Sequence, residues 1–149
     1  MPKASVKRLI ECKKNQLIDL VLDIEKYPEF VPFCLDSHVH EKNKEGSQTL
    51  IIADLTIGKG PFKDTYKSEV KFNKKEDSIH VTNLDGPLKH LENKWNFKEE
   101  NNFTEVSFDV DFELKNYFLN IVMTKSFQFC LDKIADAFQK RAEELFNKT

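Results

Sequence analysis

Val106, Phe108, Val110, Phe112 and Leu114 alternate with Ser107, Asp109, Asp111 and Glu113. A strict period of two is the mark of a strand with one buried and one wetted face. The same period governs residues 35–114. Phe62, Tyr66, Val70 and Phe72 share one face, opposite Lys63, Lys67 and Lys71. Leu91, Trp95 and Phe97 oppose Glu92, Lys94 and Lys98. Residues 50–57 are apolar on both faces apart from Asp54, residues 79–84 predict a shorter strand, and residues 5–10 alternate weakly as a first strand. The stretches 43–46, 73–77, 84–87 and 99–102 carry the Asn, Asp, Gly and Pro of turns. Turns this short imply hairpins, so the sheet is mostly antiparallel.

Two segments follow a helical period instead. After Asn15, Leu17, Ile18, Val21, Leu22 and Ile24 fall on one side, with Asp19 and Asp23 on the other. This helix has to end before Tyr27-Pro28, because a residue preceding proline is pushed out of helical backbone space. Near the C-terminus, Phe127, Leu131, Ile134, Phe138, Ala142 and Leu145 form one stripe of a long helix. One-faced strands need a cover, and this stripe matches them. The expected architecture is α+β, a curved antiparallel sheet wrapped around the C-terminal helix. Nothing in composition divides residues 1–149 into more than one domain. A curved sheet cannot close on a single helix along its whole length, so a hydrophobic cavity between them is expected. Residues 27–34 and 117–123 are too apolar for solvated loops and are expected to be irregular. They are either core plugs or the rim of that cavity.

Composition sharpens this picture. Phe occurs 13 times in 149 residues, more apolar ring surface than a core of this size needs. Only 4 Gly and 5 Pro argue against glycine-rich phosphate loops and disordered linkers. A net charge of −2 lacks the basic footprint of a general nucleic-acid binder, and no DNA partner is expected. Three cysteines, an odd number without a C-x-x-C pair, suit free thiols in a reducing compartment. No secretory signal or membrane-length apolar run is present, so a cytosolic protein or a trimmed mature form is expected.

Catalytic and metal chemistry find little support. His38 and His40 share a strand face, but no further ligand completes a metal spacing nearby. The row Asp109, Asp111 and Glu113 lies opposite the apolar face and reads as solvated. Cys130 sits in the helical stripe as a small buried hydrophobe. Neither a G-x-S-x-G elbow nor a cysteine-enzyme signature occurs. Lys59, Lys63, Lys67 and Lys71 recur every four residues. They read as the wet side of a sheet, or as a contact for anionic lipid or ribosomal RNA.

Three motifs carry a resemblance. Tyr27-Pro28-x-Phe30-Val31-Pro32-Phe33-Cys34 is the first. Ile57-Gly58-x-Gly60-x-Phe62-Lys63-x-x-Tyr66-x-Ser68-x-Val70 is the second. Asp85-Gly86-Pro87-Leu88-Lys89-His90-Leu91-Glu92-x-x-Trp95-x-Phe97 is the third. With Ala137-Phe138-Gln139-x-Arg141-Ala142 near the end, this set resembles the coenzyme-Q-binding START-like family. Its bacterial members are also called oligoketide cyclase/lipid-transport proteins or ribosome-association toxins. Leu88 stands where the pattern has Phe, a swap that apolar sites tolerate.

The resemblance implies a helix-grip fold with a hydrophobic tunnel. It also implies non-catalytic binding of ubiquinone or a related isoprenoid lipid in support of the respiratory chain, with no cofactor beyond that ligand. Its other implication is a regulator that binds the large ribosomal subunit and blocks subunit joining. Despite the cyclase label, no acid–base constellation supports cyclisation. The expected ligand contacts are Phe62, Tyr66, Leu91, Trp95 and Phe97 on the sheet, and Phe127, Leu131 and Phe138 on the helix. Tyr66 or Trp95 is the expected donor to a quinone carbonyl. The expected mouth lies where Phe30, Val31, Pro32 and Phe33 approach Phe118 and Val122. Lys63, Lys67 and Lys71 would meet anionic headgroups or RNA, in a protein bound transiently at a membrane surface in the cytoplasm or an organellar matrix.

Overall fold

The alternating segments do pair into one sheet. The structure, a computed structural model, describes residues 3–59, 62–86 and 88–146, with side chains at all of these except 59, 62, 85, 88 and 117–126. The strands are β1 (Lys3–Ile10), β2 (Cys34–Glu45), β3 (Gln48–Lys59), β4 (Phe62–Asn73), β5 (Ser78–Asp85), β6 (Leu88–Glu100) and β7 (Phe103–Leu114). Their spatial order is β1-β7-β6-β5-β4-β3-β2, every pair antiparallel. Between β1 and β2 come α1 (Lys14–Leu22), a 3-10 turn (Ile24–Lys26) and α2 (Tyr27–Phe30); α3 (Tyr117–Phe146) closes the chain.

The apolar periods explain which face is covered. Val106, Phe108, Val110 and Phe112 of β7 are buried together with Leu91, Trp95 and Phe97 of β6 and Val6 and Ile10 of β1. Leu131, Ala135, Phe138 and Ala142 of α3 press onto this group. The described contacts of α3 are with β1 above all, then α1, β7 and α2. At the start of α1 the Lys13 amide donates to Gln16 Oε1 at 3.0 Å, and the Lys14 amide donates to Glu99 Oε2 at 2.6 Å. Two otherwise unpaired N–H groups are satisfied there, one of them by the β6–β7 turn region.

Several expectations change. Residues 117–123 are not irregular: they are the first turns of α3. A run so crowded with apolar residues shows little period, so a buried helix and a plug read alike. Residues 27–30 form one helical turn, with Pro28 inside its first turn, where its missing N–H costs nothing. The preceding helix stops earlier, at Leu22, and Ile24 belongs to the 3-10 turn. Leu145 leaves the α3 stripe and is 43% exposed, while Cys130 and Ala135 are buried.

Candidate functional site

The concave face of the sheet is filled unevenly. Over β6 and β7, rings interlock: Trp95 stacks on Phe108 at 4.0 Å and meets Phe138 edge-on at 5.3 Å. Phe138 in turn meets Tyr27 at 5.5 Å and Phe30 at 5.2 Å, both nearly perpendicular. Such edge-to-face packing places ring hydrogens on neighbouring π faces. The remaining void between Trp95, Phe108 and Phe138 measures about 20 Å³, room for at most one water.

Over β3–β5 the same face is buried at Ile51, Ala53, Ser68, Val70 and Ile79 and half-buried at the positions around them. Leu55, Tyr66, Phe72 and Val81 keep part of their surface, as do Val39 of β2 and Tyr27, Phe30 and Val31 above them. Leu55 lies directly across from Tyr66. Burial holds the Tyr66 phenol far above its ordinary value, so it stays a protonated donor at neutral pH. Tyr27 is raised for the same reason, and its hydroxyl donates to the Val21 carbonyl. Phe33 sits at φ 70, a left-handed backbone that bulky residues rarely adopt, and its carbonyl accepts from the Gly58 amide at 2.9 Å. Strain of this kind costs roughly 1–3 kcal/mol and is held in place by its surroundings.

Three polar side chains interrupt this apolar face at inward positions. Ser68, 0% exposed, donates to the Ala53 carbonyl at 3.4 Å. Asn83 Oδ1 accepts from the Leu91 amide at 2.9 Å, replacing a ladder bond where β5–β6 pairing ends at Thr82 and Glu92. Asn93 lies across from Val81 and Val110, and its Oδ1 is buried without a hydrogen-bond partner. An amide oxygen left so costs about 1–3 kcal/mol. Sequence reasoning passed over all three. Their signal was present: a polar residue in an apolar slot of the alternation, Ser68 between Tyr66 and Val70 and Asn93 between Leu91 and Trp95.

The expected ligand contacts thus divide. Leu91, Trp95, Phe97, Leu131 and Phe138 lie in the packed part, each no more than 8% exposed. Phe127 is half-buried against Phe112, with ring centroids 4.4 Å apart. Tyr66, Phe30, Val31, Pro32 and Phe33 border the half-open part. The side chains of Phe62, Phe118 and Val122 lie outside the described residues. Of the lysines, Lys63 is exposed, Lys67 is half-buried across from Asp54, and Lys71 is tied to Glu69 at 3.2 Å. A groove of about 320 Å³ opens between α1, the 3-10 turn and β2–β3, lined by Leu22, Ile24, Val39 and Ile51 as well as by the charged Asp19, Asp23, Glu25 and Lys42.

Among the described residues no three His, Cys, Asp or Glu side chains gather as a metal site. His40 instead pairs with Asp54 at 2.7 Å and packs its ring against His38. Cys12 and Cys34 are buried, and burial pushes both thiols up to about 11. A thiol so shifted is a poor nucleophile at neutral pH. Between the ordinary 9.0 and about 11, the unfolded chain gives up these protons while the folded chain keeps them. Stability therefore falls as pH rises through that window, by at most ~1.4 kcal/mol per unit for each thiol. Melting temperature is expected to hold from pH 7 to 8 and drop from 9 to 11. A profile flat to pH 11 contradicts this.

Known proteins place the chain in a family. Residues 10–139 match the family described as polyketide cyclase / dehydrase and lipid transport. The mitochondrial coenzyme Q-binding protein COQ10 of Dictyostelium discoideum is 33% identical over 138 residues, 91% of this chain and 66% of that protein. The chain thus spans just under two thirds of that relative. Ribosome association toxin RatA of Rickettsia prowazekii is 27% identical over 141 residues, 93% of this chain and 94% of that one. Among solved structures, a START superfamily protein from Mycobacterium smegmatis superposes with a TM-score of 0.80 at 19% identity, covering 96% of this chain and 98% of that one. The aromatase/cyclase Zhui from Streptomyces sp. R1128 gives 0.79 at 11%, covering 95% and 93%. At such identities the likeness is one of fold alone. Binders and cyclases share that fold, so it does not separate the two activities. With a seven-stranded antiparallel sheet curved around a C-terminal helix, and a family match over most of its length, this chain belongs to the polyketide cyclase / dehydrase and lipid transport family.

Proposed function

We propose that this protein is a non-catalytic carrier of a long apolar lipid, ubiquinone or a related isoprenoid, and that the lipid lies over β3–β5. The observation that carries the reading is the uneven filling of the concave face. The rings over β6 and β7 leave room for one water, while Leu55, Tyr66 and Val81, beside the buried Ala53, Ser68 and Val70, keep apolar surface uncovered. Covering such surface with hydrocarbon is worth roughly 25 cal/mol per Å². The COQ10 relative supports a quinone as the class of ligand. Phe30, Val31, Pro32 and Phe33 form the rim in this reading, the strained Phe33 backbone fixing its shape.

The rim also sets how the protein meets a bilayer. The groove beside α1 carries Asp19, Asp23 and Glu25, which anionic headgroups repel. Transient contact is therefore assigned to the Phe30–Phe33 side. Among the described residues no helix is long and apolar enough to cross a membrane.

The test is extraction of lipid from the purified protein, followed by mass spectrometry. Near-stoichiometric quinone or isoprenoid is expected, and a profile no different from an unrelated control protein refutes the reading. Similarity to RatA raises a ribosomal partner instead. That alternative gains if the lipid-free chain co-sediments with large ribosomal subunits and loses them when Lys63, Lys67 and Lys71 become Glu.

A further inference from the structure

Asn93 sits where an apolar residue belongs. Leu91 and Trp95 flank it on its own strand, and Val81 and Val110 face it from the neighbouring strands. Leu91, Trp95 and Val110 are each no more than 9% exposed. Its nearest polar neighbour on that face, Asn83, already spends its oxygen on the Leu91 amide. The Asn93 oxygen has no partner at all. Asn93 as a whole is half-buried, at the border of the half-open part, but its buried oxygen without a partner destabilises the fold unless something else arrives to bond it. Leu at this position would fill the slot without that penalty.

We propose that Asn93 reads the polar end of the bound lipid, and that this end is an uncharged ring or chain terminus bearing a hydroxyl or carbonyl. This rests on the lipid-carrier reading above and adds the head group to it. One carboxamide carries both an acceptor oxygen and a two-proton donor, so it meets a quinone carbonyl and a quinol hydroxyl equally. The charge pattern narrows the class. The neighbours of Asn93 on its own face are uncharged: Leu91, Trp95, Val81 and Val110, the charged Glu92 and Lys94 alternating onto the other face. A phosphate or fatty-acid carboxylate placed there would be a buried ion without a counter-charge. The tail then runs from Asn93 past Val81 towards Tyr66, Leu55 and the Phe30–Phe33 rim.

The chain supplies its own reporter. Trp95 is its one tryptophan, two residues from Asn93 on the same face. An oxidised quinone held at Asn93 quenches indole emission, so titrating the full chain with decylubiquinone reads binding directly. Squalene, an isoprenoid without a head group, is read by its competition in the same titration. Asn93→Leu is expected to weaken decylubiquinone about tenfold, the loss of one buried hydrogen bond. Squalene should bind as before or better, and the melting temperature should not fall. Asn93→Ala adds no volume and carries the same comparison if the Leu variant fails to fold. Unchanged decylubiquinone affinity in a folded variant overturns the assignment while leaving the lipid-carrier reading intact. Equal weakening of decylubiquinone and squalene also overturns it, since the residue would then only shape the cavity. Failure of the unaltered protein to bind either probe removes the carrier reading and this inference together.

Discussion

Phe138→Ala is expected to cost about 3–5 kcal/mol, the range for truncating a fully buried ring. Phe138 is 4% exposed and joins elements that otherwise touch little. Its ring meets Trp95 of β6, Tyr27 and Phe30 of α2, and it lines the small void beside Phe108. Truncation would merge that void with the space the ring leaves and would remove three edge contacts at once. For a chain of this size the loss corresponds to a fall in melting temperature of roughly 10 °C. Leu145→Ala on the same helix should move stability by less than about 0.5 kcal/mol, because Leu145 already meets solvent. Thermal denaturation of the two variants makes the comparison; similar losses would mean that α3 is not anchored through Phe138.

The second large effect is local and steric. Gly86 has φ +128, and a Cβ there would lie 2.7 Å from Tyr66 Cβ and 2.8 Å from Tyr66 Cα. Both are too close for any real contact, and neither atom sits at the end of a flexible side chain. Gly86→Ala therefore has to push β4 and the β5–β6 connection apart at Tyr66. Backbone strain alone costs roughly 1–3 kcal/mol. Because Tyr66 borders the proposed lipid space, lipid content of the purified protein should fall with stability. Gly46→Ala is the control. Gly46 also has positive φ, at +58, but nothing lies within 4 Å of its added carbon. It should cost no more than about 1–2 kcal/mol and leave lipid content unchanged. Equal effects at the two positions would show that contact with Tyr66 plays no part.

Much of this fold could be read from period alone, and the exceptions have physical causes. The β7 alternation is clean because one face packs on α3 while the other meets Lys3 and Lys7 of β1 and water. β2 was harder to bound. It is an edge strand with two register shifts, and residues 41–45 carry no apolar signal although each pairs with β3. The first turns of α3 are hard to read because the apolar residues Tyr117, Phe118, Leu119, Ile121, Val122 and Met123 crowd the run, and only Asn120 and Thr124, four apart, mark a helical period.

The site was legible in its apolar members and not in its polar ones. Tyr66 and the Phe30–Phe33 segment stand out by ring content. The alternation puts Asn93 on the inner face, between Leu91 and Trp95, but does not show that its oxygen lacks a partner. The face of a residue follows from the period, whereas an absent hydrogen-bond partner needs coordinates. The division of the concave face into a packed and a half-open part had no sequence signal either. It depends on how far along the sheet α3 reaches, which side-chain pattern does not encode.

β1 lies beside β7, and that neighbourhood governs how the chain must be made. The Thr104 hydroxyl, 0% exposed, donates to the Cys12 carbonyl at 2.8 Å, joining groups 92 residues apart. Strands β2 to β7 close one after another across short turns, each pairing local in the chain. β1 has no such neighbour and must wait for residues 103–114, and then for α3, to be synthesised. At the usual 5–20 residues per second, the wait lasts on the order of ten seconds. Throughout it Val6, Ile10 and the apolar side of α1 stay uncovered, with an open strand edge beside them. Lys3 and Lys7, exposed on the other face of that strand, are the charges that discourage it from pairing with another nascent chain.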